Sequence, residues 1–438
     1  MTLRSIAPAP SDALRPLAVP GDAHRPAVTS AGSPTPRRAG DEARALLVRG
    51  AELLLAYGTP ADRLERLIAR MATHLGERAQ VLSTPTSLFL AFGEADDQRV
   101  HLLRVEPGDI DLGKLVEFDE TFEALEDGHA TIAETLARLD ALDSAPARFG
   151  PATVVPAFGL ASAGAATLFG GGLAELFGAG IVGVVASGVV LWTARRADVA
   201  RIHVLLAAFV SAALAVAASH VIGPLNASIV TLAGLIVLVP GLSLTVATIE
   251  LAARHLVSGT ARLAGALTVF LSLALGVAFG RLAASRWLGP AVEGVSDPVT
   301  EGVRWLALGI SPVAFAVLFQ ARWRELPWIQ VASLAGVLVA SEASAAQGAE
   351  AGSFLGALVV GLVANVYARL YDRPASVPLV PGLLMLVPGS IGFRALDLFL
   401  AKDAVAGING AFEAGIVAVA LAGGLLVANV IVAPGRTL

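Results

Sequence analysis

A proline, a glycine and a serine inside an apolar stretch recur in the second half of this chain. Pro240, Gly241 and Ser243 sit in the first occurrence, and Pro388, Gly389 and Ser390 in the second. Aligned on the tetrapeptide LVPG at 238–241 and 386–389, the segments 227–241 and 375–389 agree at eight of fifteen positions, 148 residues apart. Proline removes a backbone donor and glycine loosens the chain, so a helix through such a motif leaves carbonyls and amides without helical partners. Those groups suit a zwitterion, with amides toward its carboxylate and carbonyls toward its ammonium. Ser228 and Ser376 add hydroxyls nearby. Broken helices at membrane depth are tolerated where they line a cavity, and paired breaks in two halves point to a transporter's substrate site. A packing kink is the competing account, since Gly and Pro are frequent in transmembrane helices.

Beyond the breaks the two segments continue as SLTVATIEL and SIGFRALDL, which brings Glu250 and Asp397 to nearly the same place, one residue out of register. Ionisable groups near membrane depth are costly and therefore functional candidates. Poor solvation favours the neutral acid, so such a carboxylate can carry a proton. Arg394 lies one helical turn before Asp397 and can pair with it. The other account makes both carboxylates anchors just outside the bilayer. Asn226, Asn365 and Asn429 fit interhelical hydrogen bonds, each worth about 1 kcal/mol or less.

The elements that must position these residues follow from composition. Of 438 residues, 55% are apolar and 15% charged, whereas roughly a quarter of an average soluble chain is charged. Residues 41–150 carry 21 acidic and 11 basic side chains, and from Pro151 onward long runs are almost without charge. The expected fold is mostly α: a polytopic membrane protein with about ten transmembrane helices in two inverted five-helix repeats, preceded by a small α+β cytoplasmic domain. At about twenty residues per span, ten spans fit at 151–170, 173–193, 199–220, 225–246, 262–284, 303–321, 327–345, 352–371, 377–398 and 409–433. The fourth and ninth hold the breaks. Five spans per half is odd, so the halves must lie in opposite orientations. The implied division is a disordered tail at 1–40, the cytoplasmic domain at 41–148, repeats at 151–288 and 303–433, and an outer linker at 289–302. With both termini cytoplasmic, Arg195, Arg196, Arg201, Arg254, Arg262, Arg322, Arg324, Arg369 and Arg373 fall inside and most acidic loop residues outside, as the positive-inside rule requires.

Within 41–148, helices are expected at 41–56, at 60–74 with Thr59 as its cap and Pro60 at its first position, at 112–128 and at 131–142. Strands are expected at 80–92 and 100–105. Arg63 and Glu65 read either as a docking or regulatory contact or as an ordinary solvated face.

Several classes are disfavoured. There is no Cys and no HExxH or GxSxG pattern, so no enzyme, metal site or cofactor is expected. No basic stripe exists to meet nucleic acid. The first forty residues hold seven Pro and no apolar run, unlike a secretory signal.

Taken together, the parts resemble the bacterial threonine/serine exporter family (ThrE-like). The resemblance rests on RALLVRGAELLLAYGT at 44–59, the Arg63–Glu65 pair, VLSTPTSL at 81–88 and VPLVPGLLMLVPGS at 377–390. It implies export of threonine and serine, driven by the proton-motive force, through a ten-helix domain of a bacterial cytoplasmic membrane. Some relatives divide the halves between two chains, where export of small dicarboxylates such as succinate is suggested. A membrane sensor without flux is the remaining alternative. The expected partners are the small-molecule substrate and the lipid bilayer, and a homo-oligomer is compatible with this reading.

Overall fold

The computed structural model describes residues 36–94, 96–106, 108–386, 389–400 and 403–435, apart from the side chains of 36–39, 197, 396, 397, 399 and 400. Most of the tail expected at 1–40, namely 1–35, lies outside the described residues, and the first helix already begins at Pro36.

The N-terminal domain comprises α1 (Pro36–Ala56), α2 (Ala61–His74), β1 (Ala79–Thr84), β2 (Ser87–Phe92), β3 (Arg99–Arg104), α3 (Leu112–Glu126) and α4 (Ile132–Ser144). Leu64, Leu67, Ile68 and Met71 recur at helical spacing in α2 and are all buried. The strands form an antiparallel meander in the order β1-β2-β3, with Ala79 opposite Phe92 and Ser87 opposite Arg104. Leu88, Leu90 and Phe92 alternate onto its buried face. Thr131 and Glu134 close a capping box at the start of α4. Thr59 does not cap α2; its hydroxyl has no hydrogen-bond partner among the described residues, and Pro60 occupies the cap position.

From Pro151 the chain runs through α5 (Pro151–Leu168), α6 (Leu173–Ala194), the single turn α7 (Ala197–Ala200), α8 (His203–Val221), α9 (Ala227–Gly234), α10 (Gly241–Ala252) and α11 (Leu256–Leu288). The second half follows as α12 (Glu301–Leu318), α13 (Leu326–Gln347), α14 (Ala349–Tyr371), α15 (Ser376–Leu384), α16 (Gly389–Leu400) and α17 (Ala404–Ile431). Among the described residues nine spans are long and apolar enough to cross a membrane, counting Ser376–Ala395, which takes in α15 and the start of α16. The segment expected as a fourth span at 225–246 is not among them; it forms α9, of 8 residues, and α10, of 12. Exposed Leu267, Leu271, Leu275, Phe279 and Leu282 stripe one side of α11, while Phe270, Leu273 and Val277 are buried on another. Large apolar side chains turned outward suit a hydrocarbon solvent. Small residues meet neighbouring helices instead. A Cβ at Gly276 would lie 2.4 Å from the Leu205 carbonyl oxygen, and one at Gly280 2.2 Å from that of Phe209, so only glycine permits the α8–α11 approach.

The packing repeats between halves. α5 packs on α6 and α8 on α11, as α12 packs on α13 and α14 on α17. α9 rests against α5, α6 and α8, and α15 against α12, α13 and α14. Across the halves α5 meets α12, α10 meets α16, and the contacts α10–α17 and α11–α16 are reciprocal.

The N-terminal domain is built into this helical body. Ile329, Tyr367 and Val377 belong to the same buried cluster as Leu46, Phe118 and Leu139. Arg322 grips Glu120 at 2.6 and 2.8 Å. Gln320 accepts from the Phe149 amide at 2.7 Å, and the Ser258 hydroxyl donates to the Ser83 carbonyl at 2.6 Å.

Candidate functional site

The two interrupted segments meet at their breaks. Over 235–240 the backbone leaves the regular helix and closes short turns, among them Leu238 N–H to the Leu235 carbonyl and Gly241 N–H to the Val239 carbonyl, each at 2.8 Å. α15 ends at Leu384 and α16 begins at Gly389. Gly241 and Gly389 are both buried, and a Cβ built on Gly389 would stand 2.6 Å from Val239 Cγ1 and 3.3 Å from Gly241 Cα. Ser243 and Ser390 are half-buried at the starts of α10 and α16. Pro388 lies outside the described residues.

A cavity lies on either side of this contact. Because the chain reverses at each loop, α9 and the end of α16 lie on the side of the breaks remote from the N-terminal domain, whereas α10 and the start of α15 lie on its side. The far cavity, about 380 Å³, is lined by Phe169, Asn226, Ser228, Leu232, Phe393 and Arg394. The Arg394 guanidinium sits 5.4 Å from the Phe169 ring centroid, a cation–π contact. Asn226 spends its side chain capping α9, and Ser228 accepts from Arg281 at 3.2 Å. The near cavity, about 200 Å³, is enclosed by α10, α15, the ends of α14 and α17, and the start of α2; Thr59, Asp62, Arg63, Arg66, Asn365, Ser376 and Asn429 supply its polar lining. Asn365 donates to Asn429 at 2.8 Å, the interhelical bond expected of these residues.

Glu250 is fully buried and fully engaged. One oxygen accepts from the Ala61 amide and from Arg262 Nη2, and the other from Arg262 Nε, all at 3.1 Å. It therefore fastens the start of α2 to α10 and α11. Glu65 supports the same junction: it accepts from the Ser83 amide at 2.8 Å and faces His255 Nδ1 at 3.5 Å, and burial raises its carboxyl above the usual range. Asp397 is helical in α16, but its side chain is outside the described residues, so its pairing with Arg394 is too. Among the described residues no three His, Asp or Glu side chains gather as metal ligands would. The role of Arg63 in the near cavity was legible only as far as its position at the start of α2, since the cavity wall comes from residues some 180 and 310 positions later.

A family model described as "Putative threonine/serine exporter" matches residues 45–282, and a second, described as "Threonine/Serine exporter, ThrE", matches 305–431. The chain belongs to the threonine/serine exporter family. As a member of that family it is a multi-pass membrane protein. Curated relatives include pheromone-regulated membrane protein 10 of Pichia sorbitophila, 23% identical over 359 residues, 78% of this chain and 36% of that one. The Candida albicans protein of that name is 25% identical over 355 residues, 78% of this chain and 32% of that one. An uncharacterized protein of Schizosaccharomyces pombe is 25% identical over 352 residues, 77% and 46% of the two chains. The chain thus spans about a third to a half of the length of these fungal relatives. No solved structure matches it.

Proposed function

We propose that this chain is a proton-driven secondary exporter of threonine and serine in a bacterial cytoplasmic membrane, with the N-terminal domain and the C-terminus on the cytoplasmic side. One observation carries the reading: two interrupted helices meet at glycine between two cavities that lie toward opposite faces. That arrangement suits alternating access around a site at the breaks, formed by Pro240, Gly241, Ser243, Pro388, Gly389 and Ser390. Arginine in each cavity suits a carboxylate-bearing solute.

The reading takes 151–288 and 303–433 as inverted repeats. The matched packing within each half and the reciprocal contacts between halves support it, as an isologous relation requires. Superposing the halves should give a two-fold axis in the membrane plane. Glu250 or Asp397, with Arg394 beside the latter, is the proposed proton-coupling group.

Counterflow in proteoliposomes with labelled threonine, serine and succinate tests the proposal. Exchange of threonine and serine is the expected result. Exchange of succinate alone would move the substrate class to dicarboxylates, and binding without exchange would make the protein a sensor.

A further inference from the structure

The near cavity has a wall that does not come from the membrane helices. Gly58, Thr59, Pro60 and Arg63, from the α1–α2 turn and the first turn of α2, face Leu242 and Val246 of α10 and Ser376 and Leu379 of α15. Arg66 in the same lining is paired with Asp62 at 2.9 Å. Arg63 has no hydrogen-bond or ion-pair partner among the described residues, and burial pulls its guanidinium below the usual arginine range. Asp62 lines the same cavity but gives its ion pair to Arg66 and acts on Arg63 only through space. A half-buried guanidinium without a direct partner is expensive, and an anion arriving in the cavity would relieve that cost. A second, independent group lies beside it. Thr59, which lines the cavity, is 4% exposed, and its buried hydroxyl also lacks a partner among the described residues.

The repeat explains why the cation should come from this domain. On the 148-residue offset, Ser228 of the far cavity corresponds to Ser376 of the near one, and Arg394 corresponds to Val246. The far cavity carries its guanidinium on the membrane helix. The near cavity has valine at that position, and Arg63 supplies the charge across the domain boundary.

We infer that Arg63, with the Thr59 hydroxyl, binds the carboxylate of the transported solute at the near cavity, so that the N-terminal domain is part of the substrate pathway. This rests on the exporter reading above. Guanidinium to carboxylate is the strong, bidentate-capable pairing, and the Thr59 hydroxyl can donate to the second oxygen.

The test uses the full chain in proteoliposomes and two ligands, threonine and threoninol, which differ in the carboxylate. Arg63→Gln should weaken threonine binding at least tenfold and change threoninol binding less than twofold. Arg63→Lys should recover part of the loss. A general structural defect would weaken both ligands together. Because the chain has no Cys, Val380→Cys places one unique thiol in the near cavity. Threonine should slow its alkylation when Arg63 is present and not in the Arg63→Gln background. Wild-type counterflow with unchanged threonine affinity and unchanged thiol protection in Arg63→Gln would overturn the assignment while leaving the exporter reading intact. Absence of threonine, serine and succinate exchange in the wild type would remove both.

Discussion

Gly389 rests against Gly241: a Cβ on the first would lie 3.3 Å from the Cα of the second and 2.6 Å from Val239 Cγ1. Two backbone breaks, each from a different half of the chain, thus touch, with the Val239 side chain packed against the second. Gly389→Leu or Gly241→Leu should force the interrupted segments apart and stop export. Insertion should persist, because leucine is favourable in the membrane. Counterflow normalised to the amount of inserted protein would check this, and normal exchange in both variants would remove the breaks from the pathway.

Glu250 ties three elements together, so Glu250→Gln should loosen the N-terminal domain. It leaves Arg262, only 22% exposed, without its counter-ion. Removing one partner of a buried pair costs about 3 kcal/mol. A lower thermal midpoint of the full chain, with faster proteolysis near residues 145–150, is expected. A midpoint equal to the wild type would mean that the contact is not stabilising.

Proton coupling makes a separate demand on the two carboxylates. Asp397→Asn or Glu250→Gln, whichever replaces the coupling group, should abolish export driven by a pH gradient while threonine still binds. If both variants export uphill normally across pH, neither carboxylate is the coupling group.

The Glu120–Arg322 clamp should weaken in acid. Hydrogen bonds from Arg322 hold the Glu120 carboxyl below the usual range. Its folded pKa is therefore below the unfolded value of about 4.3, so the stabilisation is complete above that pH and is lost as pH falls through the folded value. The group is 43% exposed, which limits the effect to about 1 kcal/mol or less. Thermal midpoints between pH 6 and 3.5 should fall less steeply in Glu120→Gln than in the wild type.

Gly280→Leu should disrupt the α8–α11 pair, since even a Cβ there would lie 2.2 Å from the Phe209 carbonyl oxygen. Loss of folded protein in detergent is expected. Gly265→Leu on the same helix, where nothing lies within 4 Å of a Cβ, should be tolerated.

Much of this architecture was legible because it depends on local pattern. The apolar face of α2, the meander at 79–104 and the long uncharged runs follow from periodicity and composition. The breaks were legible as proline and glycine within apolar segments, but not without ambiguity. LVPG also stands at 379–382, and there Pro381 and Gly382 remain inside α15. The tetrapeptide alone does not choose between a break and a helix. Packing does: a Cβ on Gly382 would come 2.8 Å from Val360, so that turn is pressed against α14.

By itself, then, the sequence determined the elements, the division into a polar domain and an apolar body, and the repeated motif, because each is a property of residues close together in the chain. Only the tertiary structure decided what those elements face. It brought Gly241 to Gly389, closed Glu250 onto the Ala61 amide 189 residues away, and stood Arg63 in a cavity walled by α10 and α15. These contacts join residues far apart in the chain, and their partners are selected by shape, charge and the need to satisfy buried polar groups, none of which a single stretch of sequence contains.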